Sequence, residues 1–185
     1  MTREDDMTTQ VLSSAVVPDP DTHPSSFLRS DLEAAGFRGW RTWDALRASG
    51  FTGVCRGPAA YVVYRPSAGP PTFLTDNPAH HFKGKDPSVA IDTLGANWVA
   101  GAHVIYIGKA EVADRRVKQF ADFGAGRPVG HWGGRLIWQL ADSAELLVAW
   151  HAISWGEAAR SYEKRLLRHF ASLYSDSLPF ANLMG

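Results

Sequence analysis

The run Val104-Ile105-Tyr106-Ile107-Gly108-Lys109, with Arg116 seven residues further on, constrains this chain more than any other segment. Its apolar, β-branched and aromatic residues read as a buried strand over residues 103–107, which Gly108 interrupts. Residues 111–123 then carry apolar groups at helical spacing. A strand-to-helix junction of this kind brings a phenol, an ammonium and a guanidinium to one place. The helix N-terminus adds unpaired backbone N–H groups, so the junction suits an anion, with phosphate the first candidate.

The rest of the chain can be organised around that junction. Residues 39–49 read as a short helix, with Trp40, Trp43 and Leu46 at spacings of three. Tyr61-Val62-Val63-Tyr64, closed by Pro66, is a strand candidate. Residues 66–101 hold five prolines without sustained periodicity and read as an inserted loop, with a short helical piece before Trp98. After a glycine-rich turn over residues 124–134, the apolar runs 135–140 and 145–153 read as an antiparallel hairpin. Residues 157–174 form the most regular helix, with Ala159, Leu166, Leu167, Phe170, Leu173 and Tyr174 as its apolar stripe. The expected fold is α+β, a small antiparallel or mixed sheet flanked by helices. The expected layout is a disordered acidic tail over residues 1–25, a helical extension over 26–52, and a main domain over 53–185 with the insertion 66–101.

At 185 residues the chain can bury a core without metals or disulfides, and its single cysteine, Cys55, forms no internal disulfide. No apolar stretch approaches a membrane span and residues 1–10 lack a signal-peptide core, so a soluble cytoplasmic protein is expected. The net charge of zero conceals an asymmetry: residues 1–35 sum to −5 and residues 36–185 to +5. A basic body is compatible with a polyanion partner.

Several side chains stand out as carriers of chemistry. Glu163 falls on the stripe of the last helix, where a buried carboxylate needs a cation, a metal or several donors. Arg116, at the border of its helix's apolar face, can fork onto a phosphate, and register alone separates it from Arg115. Tyr61 and Tyr106 lie on the two candidate strands. A phenol beside a cation such as Lys109 becomes a usable base, although a buried tyrosine also serves as plain core. His131 sits before two glycines that let backbone approach a ligand. The 124–134 turn lacks the Gly-Lys-Ser/Thr of a P-loop and follows a helix, so it is not a dinucleotide fingerprint. The segment His80-His81-Phe82-Lys83-Gly84-Lys85 is a basic patch with one aromatic group. No cysteine–histidine cluster has zinc spacing.

With Tyr61, Tyr106-Ile107-Gly108-Lys109, Arg116, Glu163 and Asn182 in this order, the chain resembles the GIY-YIG nuclease superfamily over roughly residues 53–185. The resemblance implies one site built from two strand tyrosines, a helix arginine and a glutamate holding a single divalent metal, magnesium or manganese. On that pattern Glu163 is the metal ligand, Arg116 stabilises the phosphate and Tyr61 is the base. Tyr106 and Lys109 position and polarise it, His131 assists proton transfer, and Asn182 holds the site together. The implied activity is hydrolysis of phosphodiesters in DNA by water, with RNA left open.

Three positions depart from the family pattern. The first motif reads Ala59-Ala60-Tyr61, Tyr106 follows Tyr61 by 45 residues, and Phe120 stands one turn after Arg116, where relatives often place tyrosine or histidine. Tyr64 is therefore a second candidate on the first strand, and a nucleic-acid-binding module that keeps the fold without cutting is the alternative. A small-molecule enzyme using the 124–134 turn, and an interaction protein using the seven tryptophans, are further readings. No separate DNA-reading domain is visible, so the insertion or a dimer partner would supply specificity.

Overall fold

The computed structural model describes residues 24–79, 81–154 and 158–183. The expected acidic tail up to residue 23, His80 of the basic patch and Glu157 at the expected start of the last helix lie outside the described residues. The architecture is α+β: four antiparallel strands flanked by helices. β1 is Arg38–Thr42, β2 Ala59–Tyr64, β3 Val104–Ala110 and β4 Leu147–Ala152, in the spatial order β1-β4-β2-β3. β3 is thus an edge strand, and the segment singled out first by sequence ends at the rim of the sheet.

Every residue of β2 is buried, because both faces of the sheet are covered. On one face Ala59, Tyr61 and Val63 pack with Tyr106 and Ala110. Helix α2 (Trp43–Ala48), helix α4 (Ala113–Gly124) and a 3-10 segment, Trp132–Gln139, close over them. On the other face Ala60, Val62, Tyr64 and Ile107 meet helix α5 (Ala159–Leu173) and helix α1 (Arg29–Ala34). α4 buries Ala113, Val117, Phe120 and Ala121, the i, i+4, i+7, i+8 stripe of an amphipathic helix. α5 buries Ala159, Tyr162, Leu166 and Phe170. Each large side chain on these stripes contributes about 1.5–3 kcal/mol by leaving water. Tyr162 replaces the expected Leu173, which is 47% exposed.

Two expected elements are corrected. Residues 39–49 are not one helix but the end of β1 followed by α2, whose N-terminus is capped by Thr42 Oγ1 accepting from Ala45 N at 3.2 Å. The spacing of Trp40 and Trp43 imitates a helical period. Gly39 (φ +112°) and Trp40 (φ +49°) instead adopt left-handed backbone at a bulge, where β1 loses register against β4 and the Trp150 ring packs on Gly39. The region expected to be a helical extension therefore supplies an edge strand of the sheet.

The expected hairpin over 135–153 is the second correction. Only Leu147–Ala152 is a strand, and residues 135–140 lie in and just beyond the 3-10 segment. A short apolar run fits either state by periodicity. Here the buried Gln139 decides. Its amide donates to the carbonyls of Leu74, Thr75 and Val89, and its Oε1 accepts from Val89 N at 2.8 Å. Gln139 thereby fastens the long β2–β3 connection to the body. Asn77 adds a bond to Arg135 O at 2.9 Å, and Arg65 pairs with Asp142 at 2.7 Å. That connection includes helix α3 (Ile91–Asn97), the short helical piece expected before Trp98. Among the described residues no helix is long and apolar enough to cross a membrane.

Candidate functional site

Strand register sets the geometry of the site. Tyr61 lies opposite Gly108, and Val63 opposite Tyr106. Side chains alternate across a sheet, so Tyr61 and Tyr106 share the α4 face, with ring centroids 5.9 Å apart. Gly108 stands between them on that face. A Cβ there would lie 2.6 Å from Tyr61 Cζ, 2.7 Å from its hydroxyl and 2.8 Å from Tyr106 Cε1. The glycine is required by close approach of two aromatic side chains, not by an unusual backbone angle. Gly108→Ala is therefore expected to destabilise the fold by about 1–3 kcal/mol, as overpacked sites do. The measurement is the urea midpoint, and an unchanged midpoint would mean that the Tyr61 ring has room to move.

Above these tyrosines sits His131, fully buried, with Nε2 3.2 Å from the Tyr61 hydroxyl. Its ring stacks on Phe120 at 3.7 Å and 3°. Phe120 does leave the site without a proton-transfer group at that turn, but it supplies the surface on which His131 is oriented. Burial drives the His131 imidazole down to about 3, and the nearby Arg116 charge acts in the same direction. Burial likewise pushes the Tyr61 phenol well above the ordinary tyrosine range. Tyr106 adds to that shift, while Arg116 opposes it without reversing it. The Tyr106 phenol is raised by burial, opposed by Tyr61 and Arg116 and reinforced by the Glu163 charge. Tyr61 and His131 therefore form a neutral, hydrogen-bonded pair at neutral pH.

Arg116 is the cation beside the phenols. It is half-buried near the start of α4, and its Nη1 donates to Gln119 Oε1 at 3.2 Å. Arg115 is exposed. Lys109, expected to polarise the tyrosines, does otherwise. It follows Gly108 in β3, so its side chain leaves the opposite side of the pleat, toward α5. There Nζ donates to Glu163 Oε2 at 2.9 Å. Of the partners such a carboxylate needs, Glu163 thus has a cation, Lys109. Its side chain retains 16% exposure, at the border of the α5 stripe rather than in its middle.

Asn182 works on the free edge of β3. Its Oδ1 accepts from Ile107 N at 2.8 Å and its Nδ2 donates to Ile107 O at 2.7 Å. Ala181 N donates to Ile105 O at 2.9 Å. The C-terminal segment so satisfies backbone groups that an edge strand would otherwise present. Tyr61, Tyr106, Arg116 and His131 are thus gathered on one side of β3, Lys109 and Glu163 on the other, and Asn182 along the rim between them. Tyr64, the alternative to Tyr61, faces the other core, stacked on His103.

A cavity of about 310 Å³ opens beside this rim, lined by Lys109, Glu111, Arg115, Arg116 and Gln119 among others. Gln119 was not singled out by sequence; its position three residues after Arg116, one turn along the helix, is the signal that could have found it. Among the described residues no three His, Cys, Asp or Glu side chains converge as a metal cage. A single partly exposed carboxylate does match a small hard cation, which binds through one or two carboxylates and keeps several waters. Glu163 is the residue that fits this role. Comparison of the chain with protein-family models, with characterised proteins and with solved structures finds no match.

Proposed function

We propose that this protein is a metal-dependent endonuclease that hydrolyses phosphodiester bonds in DNA at the rim of β3. The observation that carries this reading is the assembly around one edge strand of two phenols, a guanidinium and a carboxylate. Arg116 acts on both tyrosines, and the Glu163 charge reaches Tyr106. A phosphodiester transition state gathers charge on its oxygens and needs fixed positive groups at that place. Arg116, steadied by Gln119, is such a group and opens onto a cavity large enough for a phosphate. Magnesium or manganese held at Glu163 would supply a second positive charge at the phosphate. Among this chain's residues, the Tyr61–His131 pair can pass a proton. Tyr61 oxygen takes one from water as its own moves to His131 Nε2. An imidazolium beside Arg116 is costly, so the transfer requires an anion to offset the guanidinium.

Incubation of supercoiled plasmid with the protein, with magnesium or manganese and with EDTA, tests the reading. Metal-dependent nicking is expected; no nicking under either metal refutes it. Arg116→Ala is expected to lower the cleavage rate by about 10²–10³-fold, the cost of removing one preorganised charge donor. Arg115→Ala should leave the rate at saturating DNA within a few-fold, and equal rate losses would mean that Arg115 is the group at the scissile phosphate. Two observations favour a second reading, a nucleic-acid-binding module without cleavage. Tyr61 is 1% and His131 0% exposed, and Glu163 is already bound to Lys109. DNA binding without nicking would identify that module.

A further inference from the structure

Arg115 lines two cavities. One is the cavity of Arg116 and Lys109. The other, about 370 Å³, lies between the turn after α2 and the first turns of α4. It is lined by Thr52, Arg56, Asp114, Arg115 and Lys118 among others. Three cations face it against one carboxylate. Lys118 is bonded to Asp122, and Asp114 Oδ1 accepts from Arg115 N at 2.7 Å. Among the described residues neither Arg56 nor Arg115 has a carboxylate within 4 Å. The cavity therefore presents two guanidinium groups held in no ion pair, against the single Asp114 carboxylate, both exposed and able to fork onto phosphate oxygens. Arg115 and Arg116 are consecutive in a helix, so their side chains diverge by about 100°. They serve two neighbouring anions more readily than one.

We propose that this second cavity receives the backbone phosphate next to the one held at Arg116. The site then takes an extended DNA strand, not an isolated phosphodiester, and Arg115 and Arg56 are strand-binding residues. The proposal rests on the nuclease reading and adds the direction in which the strand leaves the rim of β3, across the start of α4 toward the turn after α2.

The test is the affinity for a duplex oligonucleotide in EDTA, where no cleavage occurs, measured across a salt series. Each phosphate that the protein no longer neutralises lowers the slope of log K against log salt by about 0.9. Arg56→Ala/Arg115→Ala should lower that slope by about 1–2 and weaken binding at least tenfold at low salt. Arg56→Lys/Arg115→Lys should keep most of the slope, because it keeps the charge. Both positions are exposed, so the urea midpoints should stay together. An unchanged slope in the alanine pair, with salt-dependent binding by the wild type, overturns the second subsite and leaves the nuclease reading standing. A wild type with no salt-dependent affinity overturns both.

Discussion

Glu163→Gln is expected to abolish metal-dependent nicking, by at least about a hundredfold, while DNA binding is kept. The substitution removes the one carboxylate that faces the rim of β3 from α5 and preserves its shape. Its effect on the fold should be small. The Lys109–Glu163 pair is partly exposed on both sides, 37% and 16%, and pairs of this kind contribute about 0–1 kcal/mol. Lys109 can turn to water when its partner becomes an amide, so it is not stranded as an uncompensated buried charge. Binding should hold or strengthen, since a negative charge is removed beside a polyanion and Lys109 is released to it. These directions separate a loss of chemistry from a loss of folding: a misfolded variant loses binding, nicking and urea midpoint together. A Glu163→Gln variant that nicks plasmid at the wild-type rate would remove Glu163 from the site.

Lys109 is also where the sequence proved hardest to read. Its place one residue after Gly108 was plain, but its partner depends on the pleat of β3 and on how α5 docks, both nonlocal. The elements carried by period and breaker residues were legible. β2 stops just before Pro66, and α4 and α5 carry apolar residues at helical intervals. Gly108, expected to end β3, instead lies inside it: the strand stays paired with β2 through Ala110, and the glycine is there to make room for Tyr61 and Tyr106. What was not legible lay where long-range contacts override local pattern. Trp40 follows a glycine in left-handed backbone that Trp150 packs upon, so its helical spacing was an accident. The run 135–140 is held as a 3-10 segment by one buried amide reaching residues about fifty to sixty-five positions away. At the site, Tyr61, Tyr106, Arg116 and His131 could be named from types and spacing. The stack of His131 on Phe120, the neutrality it shares with Tyr61 and the bond from Arg116 to Gln119 could not, because burial is a property of the packed molecule.

That burial makes stability depend on pH through His131. Its pKa in the fold is about 3, against about 6.5 in the unfolded chain. Between those values the unfolded chain binds a proton that the folded chain refuses, so stability falls as pH falls. The contribution is fully present above about pH 6.5 and is lost progressively down to about pH 3. The loss from this residue reaches about 2 kcal/mol at pH 5 and about 4–5 kcal/mol at the acid end. His131→Gln removes the titrating group and keeps an amide able to meet the Tyr61 hydroxyl. At pH 7 the variant should be less stable than the wild type, because the stack on Phe120 is gone. Between pH 7 and pH 5 it should lose about 2 kcal/mol less than the wild type does, so the two stability curves converge on acidification. Urea unfolding at pH 7, 6 and 5 reads this directly. Parallel curves would show that His131 is protonated in the folded protein, and would require water or an unrecognised acceptor beside the ring.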